Sequence, residues 1–420
     1  MDNRNKLITF LFSFSIMNAQ GGNYIKNIEW NVEIMPFSKF TNFITEENSL
    51  NPNNRIAKLY CAEYALHLRP SLKYENKKIV FSAHPRLKIN NYKDLSVYFQ
   101  ELKIEYRIND KAQIMLGRYV KELGSSLFVN PGNPFFIDAD RINPKIEIKP
   151  MDFLQINYYP SKNFALSFLA NLYRGEANIY QYPLFDFKRN YALYFDYYIS
   201  SGHIGSIFSI SENLKTHLGY YGQKTISDAI IIWLEGAIDY RPDRFYAVEG
   251  HEHNYLKHDV INGSRNDKYF FSNLFGFSFS LKSGTTFYIE YFHNGKGFNN
   301  QDITLQNAIK ASTNEYHFDA TKILSDRNLG RIINSGMIFP MKNYIFSQIT
   351  HNELFNKMNC SLRYFYCLDD KGAQLSSLLE WDLSNNLQLF SVGLFNIGNK
   401  QTNFKQLVNY QTMIGMAINY

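Results

Sequence analysis

Two histidine-containing segments carry the residue types that metal binding or hydrolysis would need. His251-Glu252-His253, followed by His258-Asp259, offers imidazole and carboxylate ligands suited to a transition metal. His293-Asn294-Gly295 closes an apolar segment and offers a possible base. Neither segment has the spacing of a metal site, and no serine follows His293 at a spacing that would pair its hydroxyl with the imidazole. We therefore expect no metal, no cofactor and no enzymatic activity.

Charged residues form their most regular pattern between Leu95 and Arg118, on both sides of the tripeptide Asn109-Asp110-Lys111. Successive side chains of a β-strand point to opposite faces, so residues two apart share a face. One face then carries Leu102, Ile104, Tyr106 and Ile108, and the other carries Glu101, Lys103, Glu105 and Arg107. The segment is predicted to be a β-hairpin with one apolar and one charged face.

Strand-like segments of this kind recur along the chain, about eighteen in all between Ile28 and Tyr420. The first is predicted from Ile28 to Met35 and the sixth from Ile146 to Tyr159. The chain offers no amphipathic helices long enough to cover their apolar faces. Lipid is the remaining environment that can bury those faces, provided that the sheet closes and leaves no unpaired edge. The predicted fold class is all-β, a transmembrane antiparallel up-and-down β-barrel of about 16 to 18 strands, formed by residues 20–420 as a single domain.

The connecting segments support this prediction, because short turns rich in Asn, Asp, Gly and Ser alternate with long loops. Short periplasmic turns and long external loops are typical of outer-membrane barrels. Aromatic residues make up 16% of the chain, which suits girdles at the two membrane interfaces. The final segment ends at Tyr420, an aromatic residue on its apolar face. Its predicted partner during membrane insertion is the barrel-assembly machinery.

The first residues resemble a secretory signal peptide. Arg4 and Lys6 precede an apolar stretch from Leu7 to Ile16, and Ala19 is a small residue for cleavage, so residues 1–19 are predicted to be removed. The net charge of +6 is mild for 420 residues, and the basic residues form no dense cluster. Nucleic acid is therefore excluded as a partner.

Alternation places a mixture of acidic and basic side chains on the face that would line the lumen. Counted over all the predicted strands, and not only over the residues named below, twelve acids and seven bases fall on this face. That excess of acids predicts no strong preference for anions, although pairing across neighbouring strands is an equally good explanation of the mixture. Arg118 is ambiguous, because simple alternation turns it outward and a bulge at Gly117 would turn it inward. The predicted pore-lining residues are Arg86, Lys88, Glu101, Lys103, Glu105, Arg107, Arg118, Glu147, Lys149, Glu290 and Arg363.

Several short motifs resemble those of porin-like outer-membrane barrels of the alginate-export type. They are Gly117-Arg118 with Gly124, then Asn130-Pro131-Gly132-Asn133-Pro134, and Glu290-Tyr291-Phe292 with Asn294-Gly295-Lys296-Gly297. The resemblance implies a barrel of about eighteen strands that passes or exports a polar solute, with Arg118 turned inward. This chain lacks the arginine-rich lumen of alginate exporters, and Leu123 stands where relatives often have tryptophan.

The long segment from Val120 to Lys145 is too apolar for a loop left in water, since it contains Leu127, Phe128 and Phe135. We expect it to fold into the lumen and narrow it. Its predicted constriction residues are Phe128, Asn130, Asn133, Phe135, Asp138, Asp140 and Arg141.

These observations favour an outer-membrane channel for passive diffusion or export of a small polar solute or saccharide, in contact with outer-membrane lipid and lipopolysaccharide. Two alternatives stay open. The barrel could display its external loops as an adhesin or secretion-system component, and the segment Asp302 to Ser312, predicted to be a helix capped by Asp302, lies in the longest such loop. An outer-membrane lipid hydrolase is the third possibility.

Overall fold

The computed structural model describes residues 27–44, 49–92, 94–135, 145, 147–173, 187–249, 258–262, 268–312 and 319–420. Eighteen antiparallel strands form one sheet, and the first strand pairs with both the second and the last, so the sheet closes into a barrel. The predicted fold class is confirmed. None of the helices in these ranges is long and apolar enough to cross a membrane.

The strands follow one another around the barrel in chain order, with a separate two-stranded ribbon, β12 and β13, between the eleventh and twelfth wall strands. Their bounds are β1 (Ile28–Phe43), β2 (Ala62–Glu75), β3 (Ile79–Asn90), β4 (Leu95–Asn109), β5 (Ala112–Tyr119), β6 (Met151–Ser161), β7 (Phe164–Tyr173), β8 (Asn190–Ile199), β9 (Gly202–Ser211), β10 (Thr216–Ser227), β11 (Ile230–Tyr240), β12 (Phe245–Glu249), β13 (His258–Asn262), β14 (Tyr269–Ser280), β15 (Thr285–His293), β16 (Asn343–Leu354), β17 (Met358–Cys367), β18 (Ala373–Ser384), β19 (Leu387–Ile397) and β20 (Val408–Asn419).

The outer face of the wall is apolar and exposed, as alternation predicts for strands in contact with lipid. Along β4, Leu102, Ile104 and Tyr106 are 39%, 46% and 45% exposed. Along β20, Ile414 is 59% exposed, whereas its neighbour Met413 is buried inside. A belt of exposed apolar side chains around a closed barrel is stable only in a membrane, and barrels of this kind span the bacterial outer membrane.

Four prolines occupy wall strands at points where the hydrogen-bond ladder is interrupted, one of them Pro160 at the register shift between β6 and β7. Pro36 lies where the β1–β20 pairing skips from Ile34 to Phe37, and Pro70 lies in a similar gap between β2 and β3. Pro85 lies at a register shift between β3 and β4. Proline has no N–H to give to a ladder, so it is tolerated where pairing is already broken. β1 therefore continues through Pro36 to Phe43, although the sequence pattern had suggested an end at Met35.

Above the wall, the long loops pack into a small external cap. It consists of β12, β13 and two helices, α1 (Asn300–Ser312) and α2 (Asp319–Ile333), together with the first loop near Leu50. Leu50, Phe245, Val260 and Leu329 are buried in a shared core. Arg55 ties the first loop to α2, because its Nη2 donates to Asp326 at 2.7 Å.

The capping residue of α1 differs from the predicted one. The helix starts at Asn300, and Asn299 Oδ1 accepts the backbone N–H of Asp302 while Asp302 Oδ2 accepts the N–H of Asn299, each at 2.9 Å. This reciprocal pair is a capping box in which Asn299 is the N-cap and Asp302 is the third helical residue. Asp302 as N-cap was therefore wrong by one turn.

Candidate functional site

The loop between β5 and β6 enters the barrel and is held there by two carboxylates of the wall. We call residues 120–150 the internal loop. Glu235 on β11 accepts the backbone N–H groups of Ser125 and Ser126 at 2.5 and 2.7 Å. Glu290 on β15 accepts the N–H of Leu127 at 2.8 Å and is fully buried, as is Glu235. Hydrogen bonds to a charged acceptor are among the strong ones, so these contacts fix the start of the loop.

Beyond these contacts the internal loop packs apolar side chains on the wall. The Phe128 ring lies edge-on to Phe365, with centroids 4.9 Å apart, and near Phe346 at 5.7 Å. Trp233 on β11 belongs to the same buried cluster and donates its indole N–H to Glu290 at 2.9 Å. The guanidinium of Arg363 lies 5.6 Å from the Phe128 ring centroid. Phe128 is thus buried against β11, β15, β16 and β17, whereas Leu123 and Phe135 of the loop are buried in a second cluster that includes Phe153 on β6.

The chain then turns back through two asparagines and a glycine. Asn133 donates to the carbonyl of Lys121 at 2.9 Å and accepts the N–H of Phe135 at 3.0 Å, and Asn130 is buried beside it. His217 on β10 donates its Nε2 to the carbonyl of Gly132 at 3.2 Å. A Cβ on Gly132 would lie 2.8 Å from the carbonyl oxygen of Tyr220, so this close approach to the wall requires glycine.

The end of the internal loop reaches the opposite wall. The Lys145 ammonium donates to Glu380 on β18 and to Gln388 on β19, the latter at 2.9 Å, and the Lys145 carbonyl accepts from Arg69 on β2 at 3.1 Å. Gln100 on β4 donates to the carbonyl of Ile148 at 2.6 Å. The described parts of the loop, residues 120–135, 145 and 147–150, therefore contact wall strands on both sides of the lumen.

Arg86 forms the most complete of these contacts. Its Nε and Nη2 donate to the Glu147 carboxylate at 2.8 to 2.9 Å and 2.6 Å. Its Nη1 donates to the carbonyls of Pro70 and Pro85 at 3.2 and 3.0 Å. The interrupted ladders at these prolines present the two carbonyls to Arg86, which can then use both edges of its guanidinium.

Most of the remaining wall residues of the predicted lining also form ion pairs. Lys88 and Lys39 share Glu63, Lys88 at 2.8 Å. Near the short-turn end, Lys103 lies 3.3 Å from Glu101, and Arg107 contacts Glu105 at 3.3 Å and Glu75 at 3.0 Å. Two described residues of the lining differ, because Arg363 donates to Gln348 at 2.7 Å and Glu290 accepts N–H groups.

Two predicted positions lie elsewhere than expected. The sequence pattern placed Glu147 and Lys149 in a strand starting at Ile146, but β6 starts at Met151 and both residues belong to the end of the internal loop. Glu147 reaches Arg86 from there, whereas Lys149 is exposed. Alternation within a strand cannot assign a face to residues outside one.

Arg118 also departs from the pore-lining prediction. It pairs in unbroken register with Leu102, which is exposed on the outer face, and its Nε donates to Asp152 at 2.6 Å. Gly117 has a φ of +139° without any register shift, so the ladder has no bulge that would turn Arg118 inward. The Arg118–Asp152 pair therefore lies on the outer face near the long-loop rim, as simple alternation indicated.

Some predicted residues lie outside the described ranges, namely Asp138, Asp140, Arg141 and the histidines of segment 251–253. Of the second half of that histidine cluster, Asp259 is buried and accepts from Arg327 at 3.0 Å. Within the part of the chain that the structure describes, no group of three or more potential metal ligands comes together.

Sequence reasoning missed three residues that bond to inward-facing carboxylates of the wall, namely Lys39, Lys145 and Trp233. Lys39 lies beyond the predicted end of β1, so no face could be assigned to it. Lys145 and Trp233 act through contacts across the barrel, which no local pattern encodes. The run Gly124-Ser125-Ser126 was the available signal of a contact between the loop and the wall. Its small side chains let the backbone N–H groups approach a carboxylate closely.

Comparisons with known proteins agree with this architecture. No family model matches the chain, and no curated protein sequence matches it. The fold is similar to the outer membrane protein OprD from Pseudomonas aeruginosa, with a TM-score of 0.56 and 9% identity over 96% of this chain and 96% of that one.

Two further solved structures from the same organism are similar. OccK11 (OpdR) has a TM-score of 0.55 and 9% identity, covering 93% of this chain and 95% of that one. OccK2 (OpdF), solved in complex with glucuronate, has a TM-score of 0.55 and 9% identity, covering 95% and 98%. At such identities the likeness concerns the fold, and the chain is an eighteen-stranded outer-membrane β-barrel with the fold of the OprD and Occ proteins.

Proposed function

We propose that this chain is an outer-membrane channel through which a small polar solute or saccharide diffuses or is exported. The observation that carries the proposal is the internal loop, which lies inside a closed barrel and is bonded to opposite walls through Glu235, Glu290 and Arg86. A loop held in this way narrows a lumen without filling it with a separate plug domain. The polar, ion-paired lining suits a hydrated solute more than an apolar one.

The constriction is tested by single-channel recording in a planar bilayer. Deletion of residues 125–139 removes the contacts with Glu235 and Glu290 and is expected to raise the conductance. A variant in which a Gly-Ser segment of equal length replaces these residues separates the lost contacts from the lost volume. Unchanged conductance in both variants would place the narrowest part of the pore elsewhere.

Some finer assignments rest on the sequence and are part of the proposal. The alginate-export type is favoured by the motifs at Gly117 and Asn130, and residues 1–19 would direct export. Outer-membrane lipid contacts the apolar belt, and lipopolysaccharide would contact its outer rim. The barrel-assembly machinery would recognise the final strand, whose terminal Tyr420 is 67% exposed.

The external cap supports a second candidate function, the display of loops as an adhesin or secretion component. Its separate buried core around Phe245 and Leu329 is a folded structure that diffusion alone does not require. Absence of any conductance from folded protein in the bilayer assay would favour this candidate over the channel.

A further inference from the structure

A cavity lies between the external cap and the inner face of β18, β19 and β20. Its volume is about 310 Å³, at the lower end of the range for ligand sites. Residues of α1 line it together with the rings of Phe298 and Phe404. The external ends of the wall strands contribute Gln374 and Asn396. The cavity is thus part of the outer vestibule and is separate from the internal loop's contacts with Glu235 and Glu290.

One wall of this cavity presents a buried acceptor without a donor. Gln374 is 5% exposed, and its side-chain nitrogen donates to Asn396 Oδ1 at 2.7 Å. Its Oε1 is fully buried and accepts no hydrogen bond from any described residue. A buried amide oxygen without a donor destabilises the folded state, and because Gln374 lines the cavity, a partner that enters the cavity and donates to this oxygen would be favoured.

The facing wall presents donors. Gln306 and Lys310, one turn apart on α1, both line the cavity, and Lys310 is the one charged side chain among its lining residues. No hydrogen bond or ion pair joins the Lys310 ammonium to a described residue. Burial lowers the pKa of Lys310 to about 8.

We propose that this cavity is a vestibular subsite for a small polyhydroxylated solute of monosaccharide size, held between Gln374 on the wall and Lys310 on the cap. A hydroxyl group can donate to Gln374 Oε1 and another can accept from Lys310 or Gln306, whereas an ionised carboxylate has no proton to give Gln374. The rings of Phe298 and Phe404 supply the apolar surface that small-molecule sites usually combine with a few polar groups.

The inference rests on the proposed channel function, and it names the chemistry of the solute. Its test is calorimetric titration of the full-length, detergent-solubilised protein with myo-inositol, a ring of hydroxyl groups. Cyclohexanol, with the same ring and one hydroxyl, and acetate, with charge alone, are the matched probes. We expect saturable binding of myo-inositol and none of the other two at the same concentration.

Two variants identify the site. Gln374→Leu and Lys310→Met should each weaken myo-inositol binding by about fivefold to tenfold, the effect of one lost hydrogen bond. Lys310 lies on the external cap, so this variant decides the question if Gln374→Leu fails to fold. Undetectable myo-inositol binding, equal affinity in wild type and Lys310→Met, or competition by acetate would each overturn the proposal. Conductance of the same samples separates the two ideas, since a conducting protein without myo-inositol binding refutes the subsite and leaves the channel.

Discussion

Replacing Glu235 and Glu290 by glutamine is expected to release the start of the internal loop. Their carboxylates together accept three backbone N–H groups of residues 125–127 and the indole N–H of Trp233, at 2.5 to 2.9 Å. Glutamine has the same size and keeps one oxygen, but it removes the negative charge from each of these four bonds. The change therefore affects the strength of the contacts and leaves their shape largely intact.

The magnitude follows from the number of bonds. A hydrogen bond to a charged group contributes about 1.5 to 3 kcal/mol, and a neutral one about 0.5 to 1.5 kcal/mol, so each substitution loses about 1 kcal/mol per bond. The Glu290→Gln variant weakens one bond to the loop, the one from the Leu127 N–H, and should lose about 1 kcal/mol of loop attachment, which is about a fivefold change in the attachment equilibrium. The double variant weakens three bonds to the loop and should lose about 3 kcal/mol.

Single-channel recording is the assay, because a loop that detaches widens the lumen while it is detached. We expect a second, higher conductance level whose occupancy rises from the single to the double variant. The control is Glu101→Gln, a luminal carboxylate that bonds Ser82 and Lys103 of the wall. If the double variant shows one conductance level equal to the wild type, the carboxylates do not hold the loop in place and the reasoning is wrong.

Three further predictions test the wall, the lining and the cap. In a cysteine-free background, a cysteine at Lys103 should react with a membrane-impermeant thiol reagent and one at Leu102 should not, and the reverse pattern would invert the faces of β4. Reversal potentials in a salt gradient should show weak cation preference or none. Glu147→Gln should shift the selectivity toward anions, because it leaves the Arg86 charge without its carboxylate partner. Strong anion selectivity in the unmodified protein would contradict the expected weak preference. Arg55→Ala removes a partly exposed ion pair between the first loop and α2, so proteolysis of the cap should accelerate by about fivefold while the melting temperature of the barrel stays the same. A lowered melting temperature would mean that cap and wall unfold together.

The wall was predictable because a membrane barrel imposes one rule along its whole length. Every second residue of a strand such as β4 faces lipid, so the sequence repeats the same alternation until a turn interrupts it. Errors arose where that rule stops. Pro36 interrupts the pattern but not the strand, since β1 also pairs with β2 across the interruption.

The contacts inside the lumen were less predictable, because they join residues far apart in the chain. Glu290 contacts Leu127, which lies 163 residues earlier, and Lys145 contacts Glu380, 235 residues later. Alternation can say that a glutamate faces inward, but the partner depends on the path of the loop. The family resemblance was of little help here, since it favoured an inward Arg118 and the register of β4 and β5 sets that residue outward.

The charges of the lining are better understood by their partners than by their number. An excess of acids on the inner face would predict a negative lumen if each charge stood alone, but Glu63 serves two lysines and Glu147 and Glu380 neutralise Arg86 and Lys145. Glu235 and Glu290 are fully buried against backbone N–H groups and so present no free charge to a passing ion. The charges that the sequence assigns to solute selection are thus paired within the wall or bonded to the internal loop. In the proposed channel, selection of a solute would then fall to the shape that this loop gives the lumen.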